Sequence, residues 1–186
     1  MTQSLEKALA FHCAPALCGL KPANLICCPH GQYRDLERQI EALDEQLNPE
    51  RIHLRLLCRC EKRTLLLVYR QDLLERHLAQ EKVSEFLRRR GYPGGGLEDV
   101  LHCFEHRLAQ DGDFPHEAGV LLGYPLADVE GFLKNKGKNC KLCGYWKVYS
   151  DEEQARKLFS SFTRCRHALC AQIAQGKTLR QVLIAA

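Results

Sequence analysis

The chain reads as a single α+β domain, and three observations predict it. One hairpin of alternating apolar residues lies between Ile52 and Arg70, stripes of helical period fill much of the remainder, and glycine and proline cut those stripes into short pieces. Its 186 residues, 45% of them apolar, suit one hydrophobic core and argue against disorder. The expected architecture is one domain over residues 1–186, helical from about 151 on. A small, mainly antiparallel sheet from segments 23–28, 52–60, 63–70 and 142–149 packs against helices.

Residues 3–14 have helical spacing, with Leu5, Leu9 and His12 on one stripe, so His12 is expected to continue an apolar face; Pro15 ends or kinks this helix. The apolar run Ala23–Cys28 reads as a buried strand closed by Pro29-His30-Gly31, and residues 32–47 as an amphipathic helix with Leu36, Ile40, Leu43 and Leu47 inward. In the hairpin, strict alternation puts Ile52, Leu54, Leu56, Cys58 and Cys60 on one face, which assigns both cysteines to the core, while Leu65–Val68 form the partner strand.

A helix from Asp72 to Arg90 is expected to end at Gly91-Tyr92-Pro93, and Gly94–Gly96 lead into a helix from Leu97 to Gln110. The second contains His102-Cys103-Phe104-Glu105-His106, which matches a zinc-peptidase pattern. Its apolar stripe of Leu97, Val100, Leu101, Phe104 and Leu108 leaves both histidines on the wet side, so they read as surface residues.

Most of the unusual chemistry falls between Phe114 and Tyr149. Asp113 is placed to cap a helix that Pro115 opens and Gly123 closes; Gly123-Tyr124-Pro125 then repeats the earlier stop-and-restart signal. A basic turn, Lys134–Lys141, leads into an aromatic strand through Tyr145, Trp146, Lys147 and Tyr149. Ser150 and Glu153 form a capping box for a last long helix, with Ala155, Leu158, Phe159 and Phe162 inward and a break at Gly176; Cys165 and Cys170 carry no assigned role.

Twenty-seven basic against 23 acidic residues give +4, too mild and too dispersed for nucleic acid. No window is long enough to span a bilayer, and the N-terminus shows no basic-then-apolar signal, so a cytoplasmic location is expected. There the eleven cysteines would be free thiols, several of them small core residues.

His12 and Cys13 are candidate catalytic residues, because a thiol beside an imidazole can be held as thiolate. His116 and Glu117 are a second pair, placed in the first turn of a helix, where a neutral histidine serves as base or ligand. Lys138, Tyr145, Trp146, Lys147 and Tyr149 could grip a flat or anionic small molecule. Cys140 and Cys143 are weak metal candidates, since a structural zinc needs two further ligands; metal, haem and flavin all stay open as cofactors.

The order H-C-A-P (His12–Pro15), K-P-A-N (Lys21–Asn24), L-L-V-Y-R (Leu66–Arg70), F-P-H-E with L-G-Y-P-L-x-D-V-x-G-F (Phe114–Phe132) and G-Y-W-K-V-Y (Gly144–Tyr149) resembles the bacterial family of unknown function numbered 3793. That resemblance implies a small bacterial cytosolic protein and assigns no residue a role. The residues themselves support two readings. The expected one is a small-ligand or cofactor-handling protein, an enzyme included, with a Cys/His pocket; the alternative is a non-catalytic binding or regulatory module acting through protein partners.

Overall fold

A computed structural model describes residues 4–59, 62–110 and 114–185. The chain is α+β, with a three-stranded antiparallel sheet among many helices. It divides into two compact units. One takes in the chain up to Leu74 together with the segment from Arg164 on, and the other is Glu75–Thr163.

The first unit is built on strands β1 (Ala23–Pro29), β2 (Ile52–Arg59) and β3 (Arg63–Arg70), in the order β1-β3-β2. Central β3 is buried continuously from Thr64 to Tyr69, as its unbroken apolar run requires of a strand covered on both faces. Ile26, Ile52, Leu54, Leu66 and Val68 join Leu5, Leu9 and Leu17 of helices α1 (Leu5–His12) and α2 (Ala14–Leu17) in the core. Helix α3 (Leu36–Leu47) adds Ile40, Leu43 and Leu47. Its Asp44 accepts from the Leu54 N–H at 2.7 Å, which fixes the helix against β2.

The alternation expected along β2 fails at one point. A bulge between Leu56 and Cys58 makes Leu57 the buried residue, leaving Leu56 and Cys58 half-buried, because an inserted residue swaps the faces of the residues after it. Cys60 lies outside the described residues. Pro15 does break the first helix, but α1 ends at His12, whose side chain is exposed; Cys13 turns inward in its place.

The expected helix over 72–90 is two, α4 (Gln71–Leu78) and α5 (Glu81–Arg89), because Gln80 adopts an extended conformation between them. No glycine or proline marks that break. Helix α6 (Leu97–Ala109) buries Val100, Leu101 and Phe104 and exposes His102 and His106, as its wheel predicts. Helices α7 (Ala118–Leu121) and α8 (Leu126–Asn135) come next, then α9 (Glu152–Ala174) and α10 (Leu179–Ile184).

Segment 142–149 is not a fourth strand of the sheet. The Gly144 N–H donates to the Trp146 carbonyl at 3.1 Å and folds the segment on itself, so β4 (Leu142–Cys143) pairs with β5 (Lys147–Val148) in a separate ribbon. The expected cap at Ser150 also moves. Asp151 Oδ1 receives the Gln154 N–H at 2.9 Å, and Ser150 is committed elsewhere.

The two Gly-Tyr-Pro stops are the same device. Gly91 and Gly123 take φ of 76° and 75°, and Tyr92 and Tyr124 donate N–H groups back to Leu87 and Gly119 at 3.1 and 2.9 Å.

Candidate functional site

His12 and Cys13 fall in the first unit; His116, Glu117, Lys138, Cys140, Cys143, Tyr145, Trp146, Lys147 and Tyr149 fall in the second. Most of the second set is held by the fold's own hydrogen bonds and ring contacts.

Their centre is Asp128, 2% exposed on α8. Its Oδ1 accepts from the Tyr149 N–H, the Ser150 N–H and the Ser150 hydroxyl, and its Oδ2 from Trp146 Nε1, each at 2.7 Å. Burial pushes this carboxyl up, but the Tyr149 N–H, the Ser150 hydroxyl and the Trp146 N–H outweigh it and hold it below the usual carboxylate range. Tyr124 stacks on Trp146 with centroids 5.1 Å apart, and Phe159 meets the indole edge-on at 4.6 Å. The Lys147 ammonium donates to the Gly137 carbonyl at 2.7 Å, and the Tyr145 hydroxyl sits 3.2 Å from Thr163 Oγ1.

Two glycines allow this packing. A Cβ on Gly131 would lie 2.5 Å from Tyr149 Cβ, and one on Gly144 would lie 2.2 Å from Phe159 Cε2. The residues of the two longest sequence motifs therefore meet one another. Tyr149 keeps one unusual feature, a buried hydroxyl without a hydrogen-bond partner, whose pKa is raised by burial and by the charges of Cys140, Asp128 and Cys143.

Glu117 is likewise engaged. Buried at the N-cap position of α7, one residue ahead of the first turn expected for it, it pairs with Arg107 at 3.1 Å and receives the Tyr92 hydroxyl at 3.3 Å. Arg107 also lies over the Tyr92 ring and donates to the Arg90 carbonyl. His116 is exposed, with its ring 4.9 Å from Phe132, and Lys138 is exposed. Asp113, expected to cap the helix, lies outside the described residues. Cys140 is half-buried and Cys143 exposed; no group of three or more His, Cys, Asp or Glu suited to a metal occurs among the described residues.

The first unit holds a different chemistry. Cys13 is fully buried, and burial drives its thiol well above the ordinary range, with Lys21 opposing. Lys21 is 7% exposed; burial lowers its amine to about 7 against the pull of Cys13. Burial and the neighbouring Cys27 raise Cys28 to about 11. Asn24 Oδ1 takes the N–H of Ala16, the residue after H-C-A-P, at 3.1 Å, which ties the K-P-A-N motif to the start of α2 beside a buried thiol and a buried amine. Burial thus favours the protonated thiol at Cys13 and the neutral amine at Lys21. Exposed overall, His12 is still partly desolvated, and that desolvation with the Arg166 charge lowers its pKa.

Sequence reasoning did not single out Lys21, Asp128, or Cys18 with Cys165. Lys21 and Asp128 stood inside the family motifs, but no periodicity marks a lysine as buried. The Ala14 carbonyl accepts both the Cys18 N–H and the Cys165 thiol, a meeting of residues from opposite ends of the chain that has no local signal.

Neither curated proteins nor solved structures provide a match. Residues 9–183 match the family described as protein of unknown function (DUF3793), and with nearly its whole length covered the chain belongs to that family.

Proposed function

We propose that this protein is a non-catalytic regulatory module that works in the bacterial cytoplasm by engaging a protein partner. The observation that supports this reading best is the commitment of the motif carboxylates. Asp128 accepts four hydrogen bonds and Glu117 is paired with Arg107 and Tyr92, so neither is poised as a base. Cys13, sealed and held as a thiol, is equally unsuited to nucleophilic attack. The exposed groups around the same motifs, Phe11 and His12 in one unit and Phe114 and His116 in the other, are suited to contact with a partner's surface.

One observation favours a second reading, a small-ligand or cofactor-handling protein. An amine brought down to about 7 beside a thiol is the kind of perturbed group that functional sites contain. Photo-crosslinking in cells from positions 12 and 116, with exposed position 41 as control, distinguishes the two readings. Discrete protein adducts from 12 or 116 alone are expected. A small molecule seen by native mass spectrometry, and lost on Cys13→Ala or Lys21→Met, would overturn the regulatory reading.

A further inference from the structure

The C-terminal end of α2 and the last part of α9 present two thiols to each other. The Ala14 carbonyl is where they converge. It accepts the Cys18 N–H at 2.9 Å and the Cys165 thiol at 3.4 Å. The shared carbonyl brings the Cys165 thiol close to Cys18, where its S–H can stabilise charge on the Cys18 sulfur. That thiol has a single proton, so it can serve the carbonyl while Cys18 is a thiol and the Cys18 sulfur once that sulfur is charged. Cys18 is exposed to solvent and Cys165 is half-buried.

The surroundings fix this geometry. Arg70 donates to the Ala16 carbonyl at 3.2 Å and to the Leu17 carbonyl at 3.2 and 2.6 Å, which holds the end of α2 and keeps a guanidinium charge near Cys18. Gly19, at φ 74°, lets the chain leave the helix beside that side chain.

We propose that Cys18 and Cys165 form a reversible intramolecular disulfide, with a hydroperoxide as the oxidising substrate. The Cys18 thiolate attacks the terminal peroxide oxygen. The O–O bond breaks, the alcohol or water leaves with a proton, and Cys18 becomes a sulfenic acid. The Cys165 thiol then attacks the Cys18 sulfur; the S–S bond forms, the S–O bond breaks, and the hydroxyl leaves as water with the Cys165 proton. Two thiols thus supply the two electrons that reduce one hydroperoxide, and a dithiol reductant reverses the process by exchange. The inference rests on its own geometry and goes beyond the regulatory reading, to which it would add an input.

The Cys165 hydrogen bond, against burial and helped by Arg70, lowers Cys18 to about 7. At neutral pH this gives about fiftyfold more thiolate than an ordinary cysteine, offset about tenfold by weaker nucleophilicity, so Cys18 should react about fivefold faster. The test is to add hydrogen peroxide in equimolar steps to the reduced full chain, block residual thiols with a maleimide and map the linked peptides. A dominant Cys18–Cys165 linkage is expected. Cys165→Ala should accumulate a sulfenic acid on Cys18 that dimedone traps, and should shift the pH midpoint of Cys18 alkylation upward from about 7. Disulfides scattered over Cys27, Cys143 and other exposed thiols, or a Cys18 no more reactive than Cys27, would overturn the proposal. Thermal melts of the variant check its fold; if it does not fold, the linkage map of the unsubstituted chain decides.

Discussion

Replacing Lys21 by Met should change how stability depends on pH, and burial sets the size of the change. The Lys21 amine falls from 10.5 to about 7 on folding, so the folded state favours the neutral form by about 5 kcal/mol relative to an exposed lysine. Between pH 7 and 10.5 the unfolded chain binds a proton that the folded chain has released, and stability must rise with pH across that window. Below pH 7 the contribution is flat. Cys18 acts in the same direction between about 7 and 9. Cys13 and Cys28 act oppositely above 9, because folding keeps those thiols protonated while the unfolded chain loses their protons. The difference between the native chain and Lys21→Met removes the cysteine terms. Urea unfolding at pH 7, 8 and 9 should show that difference changing by about 2 kcal/mol in favour of the native chain as pH rises. Only this slope is diagnostic, since an apolar side chain also adds a pH-independent offset. Parallel curves with a constant offset would refute a buried, largely neutral Lys21.

Other expectations concern the second unit. Asp128→Asn places an NH2 among four donors and should lower stability by about 2–4 kcal/mol, with a red-shifted Trp146 emission as the ribbon loosens. In the native chain the Asp128 contribution is complete above the unfolded carboxyl value and is lost as pH falls through its lower folded value, so Asp128→Asn should flatten the acid limb. Gly131→Ala, with its new methyl 2.5 Å from Tyr149 Cβ, should cost about 1–3 kcal/mol in a thermal melt; an unchanged melt would mean that α8 and Tyr149 are not in contact. Glu117→Gln leaves the half-buried Arg107 without its counter-charge and should cost about 1–2 kcal/mol in chemical denaturation.

The hairpin, the stop-and-restart turns and the wet side of α6 were legible because each depends on residues close in sequence. A two-residue alternation, a glycine with positive φ and a helical wheel are local facts. The bulge at Leu57 was not legible, since Leu56 and Leu57 are equally apolar and only the register with Leu65 and Leu66 chooses between them. Nor was the break at Gln80, where an ordinary helix former is held extended. The partners of the candidate ligand-gripping residues were not legible for a related reason. Trp146, Lys147 and Tyr149 have the composition of a ligand grip, but Asp128 and Gly131, a helix away in sequence, take up that surface from within. A polar residue in a motif shows that something must be bonded, and the partner can equally be the chain itself.

That Asp128 oxygen has a kinetic consequence. The Tyr149 and Ser150 amides share one acceptor, so neither can break its bond independently of the carboxylate's position. Their hydrogen exchange should be correlated, with both amides released in one opening event that also frees the indole N–H of Trp146. Three protons, on the two residues after β5 and on Trp146, should then report a single free energy.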